Sequence, residues 1–129
     1  MTSLSRQLKE QNRAGRARLS PDVLSVIDES TAYVTSLGLV ESSLNIGAMA
    51  PDFTLPTACG TPLSLSSLLA QGPVVLTFYR GVWCPYCSSE LRALQSKLPE
   101  MSAAGATLVA ISPQTPDHSL STQEKFELA

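Results

Sequence analysis

The chain is poor in the residues that build disulfide scaffolds and metal centres. Of its 129 residues, three are cysteine and one is histidine. Three cysteines cannot form a disulfide framework. Two of them, Cys84 and Cys87, are half of a zinc-site pattern. The other half would have to come from Cys59 and His118, on distant loops with no second tight pair, so a metal is not expected. Charge is also scarce: 16% of residues are charged and the net charge is -2. That balance gives no reason to expect a nucleic acid or an anionic membrane as partner. Arg13, Arg16 and Arg18 form one small basic cluster, read as a solvated helix face in preference to an anion site. No apolar run approaches the ~20 residues of a membrane span, and the N-terminus has no apolar signal region. The expected setting is therefore cytoplasmic. In a reducing compartment, a close cysteine pair reads as catalytic or metal-binding. Repeats and low-complexity segments are absent as well.

What is present suits one small domain. The apolar fraction of 43% is that of an ordinary globular protein, and the length allows a real core. Residues 3–17 are polar with Leu4 and Leu8 on one side, a helix weakened by Gly15. Ser20-Pro21-Asp22 is a helix start, with an N-cap serine, proline at the first position and an acid in the first turn. Val23, Leu24, Ile27 and Val34 carry helical spacing to Leu37, and Gly38 is the natural stop. These two helices could cover a sheet or form a homodimer contact. Residues 39–47 read as a linker. Phe53-Thr54-Leu55 is a short strand between prolines, suited to an edge. Residues 57–62 form a turn, Leu63-Ser64-Leu65 alternates, and residues 66–71 suit one helical turn.

The chain is organised around Val74 to Cys87. Val74 to Tyr79 is apolar, β-branched and aromatic, a buried strand. It turns at Arg80-Gly81. Cys84 then falls at a helix N-cap with Pro85 at the first helical position, where a missing N–H is harmless. On this placement Cys84 is the more exposed thiol and Cys87, one turn in, the more buried. Backbone N–H groups and the helix dipole both favour thiolate there. Leu91, Leu94, Leu98 and Met101 give the following helix an apolar stripe, which Pro99 should kink or break. Gly105 ends it, and residues 106–111 are a second buried strand. Strand, helix and strand make a βαβ unit with parallel strands. Thr115-Pro116-Asp117 opens a last helix to about Leu128, with His118 in its first turn.

A Cys-x-x-Cys at a strand-to-helix turn of a βαβ unit is a thioredoxin-like redox signature. Gly47-Ala48-Met49-Ala50-Pro51-Asp52-Phe53-Thr54-Leu55-Pro56 resembles the opening of the alkyl hydroperoxide reductase/thiol-specific antioxidant group, the peroxiredoxins. Phe78-Tyr79 resembles the strand before their peroxidatic turn. The resemblance runs from Gly47 to about Ser121 and is closest to the branch with a Trp-Cys-Pro-Tyr-Cys site. It implies an α/β thioredoxin-like, peroxiredoxin-type fold in residues 47–129, preceded by a helical extension and linker in residues 1–46. It also implies that the fold is incomplete. In the family a further β-hairpin and a final helix follow, with a cis-proline loop against the sulfurs and a distant arginine that assists peroxide cleavage.

The family carries Pro-x-x-x-Thr-x-x-Cys after that strand. Laid without gaps, its peroxidatic cysteine falls on Cys87, its threonine on Cys84, its proline on Arg80 and a following acid on Glu90. A thiol at Cys84 is a weaker hydrogen-bond donor than the family's threonine hydroxyl. Two mechanisms are open. As a peroxidase, Cys87 attacks hydrogen peroxide or an organic hydroperoxide, becomes a sulfenic acid and is resolved by Cys84. As a disulfide reductase, Cys84 attacks a substrate disulfide and Cys87 closes the internal one. Both need a thioredoxin-like or other thiol reductant and no bound cofactor. A third reading, of a different class, is an inactive remnant or interaction module. Arg80 could stabilise a thiolate or hold peroxide, or be a plain surface charge. Trp83 could shield the sulfurs, bind a partner peptide, or simply pack its ring. Cys59 reads as a small loop residue in preference to a resolving thiol, because its turn has no activating context, and His118 reads as a surface histidine.

Overall fold

The structure is a computed structural model, and it describes residues 3–115. The chain divides into two compact units, Ser5–Pro51 and a second that runs from Asp52. The helix expected after Thr115, with His118, lies outside the described residues.

In the first unit, α1 spans Leu4–Arg16, α2 Pro21–Ser36 and α3 Leu39–Ser42. The expected linker after Leu37 therefore begins with a helical turn. Gly38, at φ 61°, takes the left-handed conformation that ends α2 and starts α3. Ser20 has extended N-cap geometry, but its side chain makes no capping hydrogen bond. Arg16 is not a free surface charge: its Nη1 and Nη2 donate to Asp28 Oδ1 and Oδ2, both at 2.9 Å. None of the three helices holds a buried side chain. Because α2 continues almost without a break into α3, the helical stretch Pro21–Ser42 is long and apolar enough to cross a membrane by length and composition alone, with a mean hydropathy of 1.2 in its most apolar window. It also carries Asp22, Asp28, Glu29 and Glu41. Ionised acids near the middle of a span cost about 2.5–3.5 kcal/mol each.

The second unit begins with an antiparallel hairpin, β1 (Thr54–Pro56) and β2 (Pro62–Ser64), paired Thr54 to Ser64 and Pro56 to Pro62. The strand starts one residue later than expected, so Phe53 lies outside it. Prolines end the pairing on both strands, as suits an edge. The hairpin tip is closed by Thr57, whose Oγ1 lies 2.7 Å from Thr61 Oγ1, and it carries Cys59 exposed. Helix α4 (Leu65–Leu69) follows at once. Its free N–H groups are taken by Ser64 Oγ, which accepts from Ser67 N at 3.1 Å, and by Asp52 Oδ1, which accepts from Ser66 N at 3.0 Å.

The expected βαβ unit is present. β3 (Val74–Phe78) pairs in parallel with β4 (Thr107–Ile111), in register from Val74 with Thr107 to Phe78 with Ile111. Tyr79 N donates to Ile111 O at 2.9 Å and extends the ladder by one bond. The strands are half-buried, not buried. Among the described residues this sheet has two strands only, so each keeps an unpaired edge. The crossover is two helices, α5 (Pro85–Gln95) and α6 (Leu98–Ala103), so of a kink or a break it is the break that occurs. The break falls at Ser96-Lys97, and Pro99 sits in the first turn of α6, where its missing N–H is tolerated. The most buried apolar side chains are Leu65, Leu68, Leu91, Cys84 and Cys87. The core of this unit thus sits under the cysteine turn.

Candidate functional site

The site is the turn from β3 into α5, at the carboxyl ends of two parallel strands, where α/β sheets commonly place ligands. Gly81 shapes it. Its φ is 145°, and its carbonyl accepts from Cys84 N at 3.1 Å, closing a tight turn. A Cβ here would stand 2.7 Å from Trp83 Nε1. Only glycine lets the indole lie this close to the backbone. Cys84 is the N-cap of α5 in extended geometry, and Pro85 opens the helix. The Cys84 carbonyl accepts from Ser88 N and Ser88 Oγ, both at 3.1 Å, which fixes the first turn.

Arg80 touches both sulfurs. Its Nη2 donates to Cys84 Sγ at 3.4 Å, and its backbone N–H donates to Cys87 Sγ at 3.4 Å. Its guanidinium also lies over the Trp83 ring, 4.9 Å from the centroid. Trp83 is 65% exposed. Its ring therefore faces solvent on one side and the arginine on the other. Glu90 is half-buried on α5 and makes no hydrogen bond or ion pair with the other site residues among those described.

The expected order of exposure is reversed. Cys84 is 1% exposed and Cys87 8%. Arg80 Nη2 lies against the Cys84 sulfur, so the N-cap position does not leave this thiol open.

The two free thiols are also unequal electrostatically. Burial by itself would push the Cys84 thiol up. The thiol and backbone N–H of Cys87, with the Arg80 guanidinium, outweigh burial and hold Cys84 below its ordinary value. Cys84 makes no formal side-chain cap to its helix, so this help acts through proximity to Cys87 and Arg80. Burial pushes the Cys87 thiol up, and the neighbouring Cys84 adds to that. The Arg80 backbone N–H and guanidinium only partly offset it. These surroundings favour the thiolate at Cys84 over the thiolate at Cys87.

The site contains one residue that sequence reading passed over. Gln114, in the loop after β4, has its side-chain carbonyl carbon 3.6 Å from the position of a Gly81 Cβ, and its Oε1 accepts from Ser112 Oγ at 3.1 Å. The signal was available in outline, since the end of the second parallel strand should lie beside the end of the first.

Residues 46–129 match the sequence model of the AhpC/TSA family. The chain belongs to the AhpC/TSA family. Peroxiredoxin Q of Populus jackii is 31% identical over 106 residues, covering 75% of this chain and 49% of the relative. Peroxiredoxin Q of Triticum aestivum is 34% identical over 77 residues, covering 60% of this chain and 35% of the relative. The solved structure of peroxidoxin BcpB from Mycobacterium tuberculosis superposes with a TM-score of 0.63 at 32% identity, over 67% of this chain and 56% of that one. A thiol:disulfide interchange protein of the thioredoxin family from Chlorobium tepidum gives a TM-score of 0.53 at 24% identity, over 67% of this chain and 59% of that one, a likeness of fold. The fold is thioredoxin-like, of the peroxiredoxin type. The chain spans about half the length of the curated relatives it matches.

Proposed function

We propose that this chain is a thiol peroxidase whose catalytic cycle runs on Cys84 and Cys87. The observation that carries this reading is the arginine shared by the two sulfurs, with one thiol held low and the other high. Membership of a family whose relatives are named peroxiredoxins supports the peroxide side of the reading.

The Cys84 thiolate attacks the outer oxygen of a hydroperoxide and the O–O bond breaks. Sulfur is oxidised to a sulfenic acid, and the other oxygen leaves with the electron pair. The Cys87 thiol supplies the proton, so the leaving group departs as water or an alcohol. Cys87, now a thiolate, attacks the Cys84 sulfenic sulfur and displaces hydroxide, which takes a proton to become water. The product is the Cys84–Cys87 disulfide. An external dithiol of the thioredoxin type reduces it, in the reducing setting expected for a cytoplasmic protein. Arg80 steadies the thiolate and lies where it can meet the peroxide. This order reverses the one implied by gapless alignment with the family, where Cys87 attacks first. The physical ground for the reversal is that the attacking species must be the thiolate.

The same low-then-high pair would also serve a disulfide reductase, with Cys84 attacking a substrate disulfide. Peroxide consumption and insulin-disulfide reduction, each driven by a dithiol, separate the two. The expected result is peroxide turnover that is lost in Cys84→Ser. In Cys87→Ser, one turnover should leave a sulfenic acid trapped by dimedone at Cys84. A dimedone adduct on Cys87, with turnover surviving Cys84→Ser, would restore the order implied by the family register. Insulin reduction without peroxide turnover would favour the reductase. A folded chain that does neither would leave the remnant reading standing.

A further inference from the structure

Arg80 is exposed, and a long exposed side chain does not hold one geometry without help. The mechanism needs its guanidinium on the Cys84 sulfur but does not say what keeps it there. Its guanidinium has two close anchors, the sulfur at 3.4 Å and the Trp83 ring at 4.9 Å from the centroid. Neither anchor is a carboxylate, and none of the ion pairs among the described residues involves Arg80. Before the thiolate forms, the indole is the stronger of the two, because a neutral thiol is a weak acceptor.

The indole itself is held by shape. Gly81 is buried, and its missing side chain is the space the Trp83 edge occupies: an added Cβ would lie 2.7 Å from Nε1 and 3.0 Å from Cδ1. The Gly81–Cys84 backbone hydrogen bond fixes the turn that carries both residues. Arginine over the face of an indole is a favourable arrangement, and it also spends the arginine's rotamer freedom in advance.

We propose that Trp83, seated against Gly81, is a positioning residue that holds the Arg80 guanidinium against the Cys84 sulfur. Trp83 touches neither sulfur nor substrate in this role. It acts through Arg80, so its loss should weaken the thiolate without removing the thiol.

The inference rests on Cys84 being the first thiolate, and its test does not need peroxide turnover. The full-length reduced chain is alkylated with iodoacetamide across a pH series, and the rate at each cysteine is read by mass spectrometry. In Trp83→Ala, the rising limb of the Cys84 profile should move to higher pH. The rate there should fall about two- to fivefold, the value of one exposed cation–π contact, and converge with the wild-type rate at high pH. Trp83→Phe keeps an aromatic face and should recover most of the difference. Trp83 is the only tryptophan, so a second readout is direct. Arg80→Met should change its emission and its quenching by acrylamide while circular dichroism stays the same. The proposal is overturned if Trp83→Ala leaves the Cys84 profile in place, or lowers the rate equally at every pH. It is also overturned if Arg80→Met leaves the emission unchanged. A wild-type chain with the expected profile but no peroxide turnover would sink the peroxidase reading and leave this one intact.

Discussion

Replacing Arg80 by methionine keeps length and apolar stem and removes the charge. At the 3.4 Å separation of Nη2 and Cys84 Sγ, Coulomb attraction between unit charges is about 5 kcal/mol at an effective dielectric of ~20 and about 1 kcal/mol in water. Arg80 is exposed, so solvent screens it and the lower end applies, about 1–1.4 kcal/mol. One factor of ten in thiolate population corresponds to about 1.4 kcal/mol. Arg80→Met should therefore slow iodoacetamide alkylation of Cys84 by about five- to tenfold on the rising limb of its pH profile. The sign follows from the direction of the shift. Arg80 helps hold the Cys84 thiol low, so losing it moves the limb to higher pH, and the two proteins converge once both are fully thiolate. Cys87 is an internal control. It keeps the backbone N–H of residue 80, which a side-chain change leaves in place, so its rate should change less. Raising salt should shrink the wild-type advantage. Equal Cys84 profiles for wild type and Arg80→Met would refute the reasoning, because they would mean that the contact carries no charge stabilisation.

Two further predictions concern the frame around the site. Gly72→Ala would place a Cβ 2.4 Å from the Gly105 carbonyl oxygen, so backbone must move at the start of β3. A loss of about 1–3 kcal/mol is expected, read as a lower urea midpoint, whereas Gly60→Ala meets nothing within 4 Å and should suffer only the backbone strain of its φ of 81°. Asp52 is held below its ordinary 3.8 by hydrogen bonds from the Ser66 side chain and backbone N–H, with Phe53 N adding to them. Its contribution is full above 3.8 and is lost as pH falls through the lower folded value, so Asp52→Asn should flatten the acid limb of a stability-versus-pH curve. An unchanged acid limb would show that the contact does not survive in solution.

Much of this was legible in the residues. Val74–Phe78 and Thr107–Ile111 are short apolar runs around a helical stripe, and such a pattern has few solutions other than a parallel βαβ unit. Pro85 after Cys84 marked the helix start to the residue. The position of the helix break was less legible. Pro99 signals a disturbance, but a proline is as comfortable in the first turn of a new helix as it is disruptive inside an old one. The turn after Leu37 was read as linker because four residues are too few to show periodicity.

The sequence by itself determined the family resemblance and the address of the candidate chemistry: two thiols one helical turn apart, at the end of a strand. Local spacing suffices for that, because helix geometry converts Cys-x-x-Cys into neighbouring sulfurs. Only the tertiary structure decided how the surroundings of the two thiols differ. That depends on desolvation and on contacts of 3–4 Å, and spacing does not encode where a flexible arginine folds. Position at the N-cap suggested an open Cys84. In the structure Cys84 is buried, and the Arg80 guanidinium, in contact with both the Trp83 ring and the Cys84 sulfur, helps hold that thiol low.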